Sequence, residues 1–191
     1  MSDVRQTSQG RGRGGAYLPA CALALLLSAC GGGGGDAAAP APAPGPAVAD
    51  CGLPDFQAEL LRLVNEQRAR GGLCGSTRFA PAPALRWNTL LGQAAARHAL
   101  DMAAHDHFSH TGTDGSDAGA RISASGYRWS RWGENIAAGY DSSAAVVAGW
   151  IASEGHCRNL MQAEFTEIGL ACVRSNAGQY RIWWAQTLAA P

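Results

Sequence analysis

A stretch rich in glycine, alanine and proline, from Gly31 to about Asp50, divides the chain and limits what can fold. It carries few charged or large apolar side chains, so it cannot bury enough apolar area to offset the entropy lost on ordering. We interpret it as a tether. Residues 51–191 are the part that can fold, and their length fits one domain.

The segment before the tether has the composition of an export signal. Arg5, Arg11 and Arg13 precede an apolar run from Ala16 to Leu27. This run is too short to cross a bilayer comfortably as a permanent helix. We therefore interpret residues 1–29 as a signal peptide that is removed.

The end of the apolar run resembles a bacterial lipobox, with Leu27, Ser28 and Ala29 before Cys30. We therefore expect cleavage before Cys30 and lipid attachment to it. Several acyl chains, at roughly 0.8 kcal/mol per buried methylene, would then hold the protein on a membrane. The alternative is ordinary secretory cleavage near Ala29, which leaves Cys30 free. Gly31 follows, where an aspartate would signal inner-membrane retention. By resemblance to sorted lipoproteins we expect an exported cell-envelope protein in the outer membrane of a Gram-negative bacterium.

The charge of the chain says little about its partners, apart from nucleic acid. The whole chain has 15 basic and 15 acidic residues, and loss of residues 1–29 removes three arginines and one aspartate, which leaves a formal net charge of minus two. No basic patch indicates nucleic-acid binding. We expect no nucleic-acid partner.

Cysteine usage predicts a disulfide-bonded domain. Of the six cysteines, Cys21 is lost with the signal peptide and Cys30 carries lipid, so four remain: Cys51, Cys74, Cys157 and Cys172. Four cysteines in an exported chain suggest two disulfides, for which three pairings are possible. The pairing with the shortest loops joins Cys51 to Cys74 and Cys157 to Cys172, and each bond would contribute about 3 kcal/mol. A four-thiolate zinc site is disfavoured because no pair has C-x-x-C spacing.

Hydrophobic periodicity predicts three main helices. They span about Pro54–Ala69, Thr89–Ala104 with Asn88 as N-cap, and Ser143–Ser153, and a short helical turn is expected near Ser116–Ala124. The alanines of the second helix predict close packing. The tail changes to an alternating pattern in "TEIGLACV" and "QYRIWWAQTL", separated by "RSNAG", which predicts a β-hairpin. The fold class is therefore α+β, with a small antiparallel sheet flanked by helices.

Several segments in a fixed order carry a family resemblance. "AARHALDMAAHDHFSHTGTDG", "GENIAAGY", "VVAGWIASEGHCRNLM", "FTEIGLACV" and "YRIWWAQTL" resemble the CAP superfamily of cysteine-rich secretory proteins, antigen 5 and plant pathogenesis-related proteins, in its bacterial exported form. Separated motifs in the right order are far more specific than any one alone. The resemblance covers about residues 55–188, and it implies an α-β-α sandwich with a cleft on one side.

The resemblance also implies which side chains line that cleft. His110 matches the "FSH" position, Glu134 the "GEN" position and His156 the "GH" position, whereas Glu154 matches the family pattern less closely. Two imidazoles and two carboxylates can hold a divalent metal or share protons. We expect His110 and His156 to be ligands of zinc or another divalent cation.

Each of these residues also has a purely structural interpretation. His98 lies on the apolar stripe of the second helix, so we expect a core histidine bonded to a backbone or carboxylate partner. His105 and His107 are expected at the surface. Glu134 can instead cap backbone donors beside Asn135. Four tryptophans are expected to pack in the interior rather than to bind ligands: Trp129, Trp132, Trp183 and Trp184.

Three functions are compatible with this set. The first, favoured by the resemblance, is non-catalytic binding of a lipid, glycan or extracellular protein, supported by a metal. The second is a metal-dependent hydrolase with Glu134 or Glu154 as general base. Neither Ser109 nor Ser153 is a convincing nucleophile, and no G-x-S-x-G elbow is present. The third is a hydrogen-bond network without a ligand.

Overall fold

The computed structural model describes residues 49–191, so the predicted signal peptide, the predicted lipidation position Cys30 and most of the predicted tether lie outside the described residues. Eleven elements follow one another in this region: α1 (Phe56–Arg70), β1 (Gly72–Cys74), β2 (Thr77–Phe79), β3 (Arg86–Trp87), α2 (Thr89–His105), α3 (Ala118–Ala124), β4 (Arg131–Ala138), α4 (Ser143–Ala152), α5 (Glu154–Met161), β5 (Glu167–Arg174) and β6 (Ile182–Ala190). Within this described part, no helix is both long and apolar enough to cross a membrane.

Helices cover both faces of a four-stranded sheet with the order β3-β5-β6-β4. Strands β5 and β6 form the predicted antiparallel hairpin, β4 pairs antiparallel with β6, and the short β3 is parallel to β5. Trp184 packs with α1, α4 and α5 on one face, whereas its neighbour Trp183 packs with α2 on the other. This alternation produces the expected α-β-α sandwich and confirms the α+β class.

Helix α2 packs very closely on β5. Asn88 caps it as predicted, because its side chain accepts the main-chain N–H groups of Leu90 and Leu91. A Cβ atom on Gly169 of β5 would lie 2.0 Å from the main-chain nitrogen of Gly92. The two backbones therefore touch, and only glycine fits at residue 169. The prediction of close packing by this helix is confirmed.

Strand β4 and helix α5 were not predicted from the sequence. Six of the eight residues of β4 are buried, so the strand shows no alternation between apolar and polar positions. Helix α5 is only eight residues long and follows α4 with Ser153 between them. Both elements carry predicted cleft residues.

The outer edge of β4 is covered by side chains from α4 and α5. The main-chain N–H of Gly139 bonds towards β6, so the alternate carbonyls of Glu134 and Ile136 point away from β6. Asn159 Nδ2 donates to the carbonyl of Glu134 at 3.0 Å, and Trp150 Nε1 donates to that of Ile136 at 3.3 Å. These two bonds join the helical layer to the strand that carries Glu134.

Arg68 of α1 is a buried cation that bonds only to main-chain carbonyls. Its Nε donates to Pro83 at 2.7 Å, Nη1 to Leu160 at 2.6 Å and to Gln162 at 2.9 Å, and Nη2 to Phe165 at 3.2 Å. Burial lowers the pKa of its guanidinium to about 10. The side chain therefore ties α1 to the end of α5 and to the turn that follows.

The two disulfides are not the pair with the shortest loops. Cys51 bonds to Cys172 and Cys74 to Cys157, across sequence separations of 121 and 83 residues. The pairing chosen by loop length was therefore wrong. The reason is that Asp50 forms an isolated bridge with Cys172, which places the segment before α1 beside β5. The second disulfide joins β1 to α5.

Candidate functional site

His110 and Glu134 form a direct pair. Glu134 lies on β4 with its side chain fully buried, and Nδ1 of His110 lies 2.8 Å from its Oε1 atom. An ionised carboxylate only accepts hydrogen bonds, so Nδ1 of His110 carries a proton, and in the neutral form of the ring Nε2 is the acceptor nitrogen. The His110 side chain is 15% exposed. The pair therefore consists of a partly accessible imidazole, that of His110, bonded to a buried carboxylate, that of Glu134.

Arg121 of α3 is part of this site, although the sequence analysis did not predict it. Its Nη2 donates to Glu134 Oε2 at 2.7 Å and to the carbonyl of His110 at 3.0 Å. Its Nη1 donates to the carbonyl of Ser116 at 2.7 Å. Nothing in the chain around Arg121 distinguishes it from a surface arginine, because its role depends on a strand that is distant in sequence.

His98 supports the same loop from α2. Its fully buried ring lies with Nε2 2.9 Å from the carbonyl of Ser109 and 3.8 Å from Glu134 Oε1. Because a carbonyl only accepts, Nε2 of His98 donates. The prediction of a core histidine bonded to a backbone partner is confirmed. The carbonyls of residues 109 and 110 are thus held by donors from two different helices.

The charges of this cluster set the protonation of Glu134. Burial alone would raise its pKa, but the hydrogen bond from His110 and the nearby His98 and Arg121 act in the opposite direction and bring the pKa below its usual value. The pKa of His98 is lowered, first by burial and also by Arg121, against the attraction of Glu134. Glu134 is therefore ionised and His98 neutral at neutral pH.

Stability is expected to fall as the pH drops below about 6.5, because unfolded His98 takes up a proton there and the folded form does not. The lowered pKa of Glu134 adds a further loss of stability at more acidic pH. There the carboxylate takes up a proton in the unfolded chain but is still ionised in the folded protein. Urea unfolding between pH 7.5 and 5 should show a slope of up to about 1.4 kcal/mol per pH unit. The His98→Gln variant should have a flatter slope in this range, and an unchanged slope would contradict the assignment.

Glu154 and His156 lie on α5 and differ in their surroundings. The Glu154 side chain is 51% exposed and pairs with Arg158 at 2.5 Å. It lies against Gly75, next to β1 and β2. His156 is buried, and its carbonyl accepts Asn135 Nδ2 at 3.3 Å. Of the four predicted residues, the structure thus brings His110 and Glu134 into direct contact and directs Glu154 to Arg158.

A buried amide network fixes α5 to β4. Asn135 Nδ2 donates to Gln186 Oε1 at 2.7 Å, and Asn159 Nδ2 donates to Asn135 Oδ1 at 2.9 Å. Glu134 and Asn135 are neighbours on one strand, so their side chains point to opposite faces of the sheet. The loop with His110 and the helix with His156 consequently approach β4 from opposite layers.

His105 and His107 are exposed, as predicted. His105 Nδ1 lies 3.1 Å from Asp101 Oδ1, and His107 Nε2 bonds to the carbonyl of Thr111 at 3.1 Å. Three of the four tryptophans are buried as expected: Trp132, Trp183 and Trp184. Trp129 is half-buried and packs edge-on against Trp132.

The donor set limits the kind of metal site that fits. Within residues 49–191, no three or more histidine, cysteine, aspartate or glutamate side chains are grouped so that they could hold a metal ion. However, an imidazole that donates one N–H to a carboxylate is the usual arrangement of a metal-ligating histidine, and His110 has it. The described residues therefore do not fit a closed structural site, and the His110–Glu134 pair has the arrangement of a single ligating histidine with its outer-shell carboxylate.

Comparison with known proteins gives a consistent family. The profile of the CAP, or cysteine-rich secretory protein, family matches residues 61–188. The membrane protein YlbC of Bacillus subtilis is 29% identical over 118 residues, which are 62% of this chain and 32% of YlbC. The Bacillus subtilis protein YkwD is 28% identical over 131 residues, which are 69% of this chain and 46% of YkwD.

A solved structure has the same fold. The crystal structure of an extracellular protein containing an SCP domain, from Bacillus anthracis, has a TM-score of 0.58 and 28% identity, and the match covers 70% of this chain and 40% of that one. The chain thus spans between about a third and a half of the length of these three relatives.

Proposed function

Because this chain belongs to the CAP family of cysteine-rich secretory proteins, we propose that it is an exported binding protein whose His110–Glu134 site contacts an extracellular ligand. The ligand we propose is a lipid, a glycan or a protein. We further propose that lipid on Cys30 anchors the protein in the outer membrane of a Gram-negative bacterium and that the tether extends the domain from the surface. The extracellular relative from Bacillus anthracis and the membrane protein YlbC support export.

One observation carries the proposal: a fully buried, ionised carboxylate orients a partly exposed imidazole. Burying a charge is costly unless it is paired and hydrogen-bonded. Here Arg121 and His110 compensate Glu134, and the result is a histidine ring with a defined acceptor nitrogen. In its neutral form, such a ring can accept a hydrogen bond from a ligand or coordinate a cation.

A divalent cation, zinc in the first instance, is the bound species that we propose for this site. His110 would be one protein ligand, and Glu134 would orient it. His156 approaches from the other layer, so it would reach the same cation across the outer edge of β4, where α5 bonds to the carbonyl of Glu134. Water would complete the coordination. The cation would supply positive charge for an anionic or carbonyl group of the ligand. Glu154 has no ligand role in this proposal, because its carboxylate is paired with Arg158.

Zinc titration by calorimetry tests the proposal. We expect the purified protein to bind zinc, and we expect His110→Ala and His156→Ala each to weaken binding at least about tenfold, since even outer-shell changes cost that much. His107→Ala is the matched control, because that imidazole is exposed and bonds within its own loop. No zinc binding, or equal loss in the control, would refute the cation part of the proposal.

A further inference from the structure

Arg121 bonds both to Glu134, which accepts the ring proton of His110, and to the main-chain carbonyl of His110. Its Nη2 donates to Glu134 Oε2 at 2.7 Å and to the His110 carbonyl at 3.0 Å. We infer that Arg121 is a positioning residue that holds His110 in one tautomer, with the proton on Nδ1 and the lone pair on Nε2. The inference rests on the proposed binding role of His110.

The guanidinium is itself fixed in place. Its Nη1 donates to the carbonyl of Ser116 at 2.7 Å and to its Oγ at 3.3 Å, and the side chain is only 2% exposed. A planar fork of donors matches two acceptors better than a flexible ammonium does. Because water is largely excluded, the pairing with the fully buried Glu134 is stronger than a surface ion pair.

Arg121 also fixes the orientation of the Glu134 carboxylate towards His110. Glu134 Oε1 lies 2.8 Å from His110 Nδ1, within hydrogen-bond distance, and 3.8 Å from His98 Nε2, which is beyond that distance. By holding Oε2, Arg121 keeps the carboxylate turned so that Oε1 faces His110. Without the guanidinium, the carboxylate can rotate away from His110, and Nδ1 of His110 then lacks a fixed acceptor.

The tautomer of His110 can be measured directly. Long-range ¹H–¹⁵N correlation spectra of the metal-free protein at pH 7.5 should show His110 as a single Nδ1–H form. In Arg121→Met we expect loss of this single form and appearance of the Nε2–H tautomer. In Arg121→Lys we also expect both tautomers, since a single ammonium nitrogen cannot replace Nη1 at the Ser116 carbonyl and Nη2 at Glu134 at the same time.

Arg68→Met is the matched control, because Arg68 is an equally buried arginine that bonds only to carbonyls of other segments. It should lower stability and leave the His110 tautomer unchanged. An unchanged tautomer in Arg121→Met would overturn the inference, and so would the same change in Arg68→Met. If Arg121→Met does not fold, the lysine variant decides, and a wild-type spectrum there overturns the inference.

These spectra are recorded without metal, so they are independent of the zinc titration. Failure to bind zinc would remove the proposed cation and leave the role of Arg121 intact. A tautomer that does not depend on Arg121 would remove the positioning role and leave zinc binding to be judged by its own titration.

Discussion

Replacing Glu134 with alanine is expected to lower the free energy of unfolding by about 3–5 kcal/mol, the usual cost of removing one partner from a buried ion pair. The substitution leaves Arg121 as a buried cation without its carboxylate and removes the acceptor of His110 Nδ1–H. Arg121 then keeps only neutral acceptors, at Ser116 and the His110 carbonyl, so its buried charge has no counter-ion. Urea denaturation followed by tryptophan fluorescence measures the loss.

Glu154→Ala is the control for this prediction. Glu154 belongs to the same predicted set of four residues, but it is half-exposed and its partner is Arg158 in the same helix. Exposed ion pairs of this kind contribute about 0.5 kcal/mol or less. Similar losses in the two variants would show that burial of Glu134 does not have the importance assigned to it.

Loss of the disulfide between Cys51 and Cys172 is expected to lower the free energy of unfolding by about 5 kcal/mol on the loop-entropy estimate. The bond closes a loop of 121 residues and ties the start of the domain to β5. The double alanine variant would therefore unfold at a much lower urea concentration. Removal of the bond between Cys74 and Cys157, which spans 83 residues, should cost about 4.5 kcal/mol.

Peptide mapping provides an independent check of the pairing. Trypsin cleaves after arginine, so Cys157 and Cys172 fall in separate peptides, divided at Arg158, and Cys51 and Cys74 are likewise separated. Without reduction, the peptide with Cys51 should stay linked to the peptide with Cys172. A link from Cys51 to Cys74 would instead restore the short-loop pairing and contradict the structure.

Local sequence signals predicted much of the helical framework and the final hairpin. The Asn88 cap, the alanine-rich face of α2 and the "RSNAG" turn act over a few residues, so their consequences can be read without knowledge of the fold. The limits of α1 were less accurate, because the predicted start at Pro54 precedes the observed Phe56. Helix ends depend on contacts beyond the local pattern.

Long-range contacts were not predictable in the same way. The resemblance named His110 and Glu134, but the single sequence contains no signal that places Arg121 between them or Arg68 among carbonyls. Strand β4 has no alternating pattern because both of its faces are buried. The disulfide pairing failed for a related reason, since loop length ignores the bridge that brings Asp50 to Cys172.

The side-chain bonds on the outer edge of β4 have a consequence for how molecules of this protein meet. A border strand with open carbonyls is a template for pairing with another polypeptide, which leads to aggregation. In this domain Asn159 and Trp150 occupy the carbonyls of Glu134 and Ile136. At the opposite border β3 has only two residues, too few for a stable ladder. The sheet is thus protected at both borders against growth by addition of a strand from another molecule.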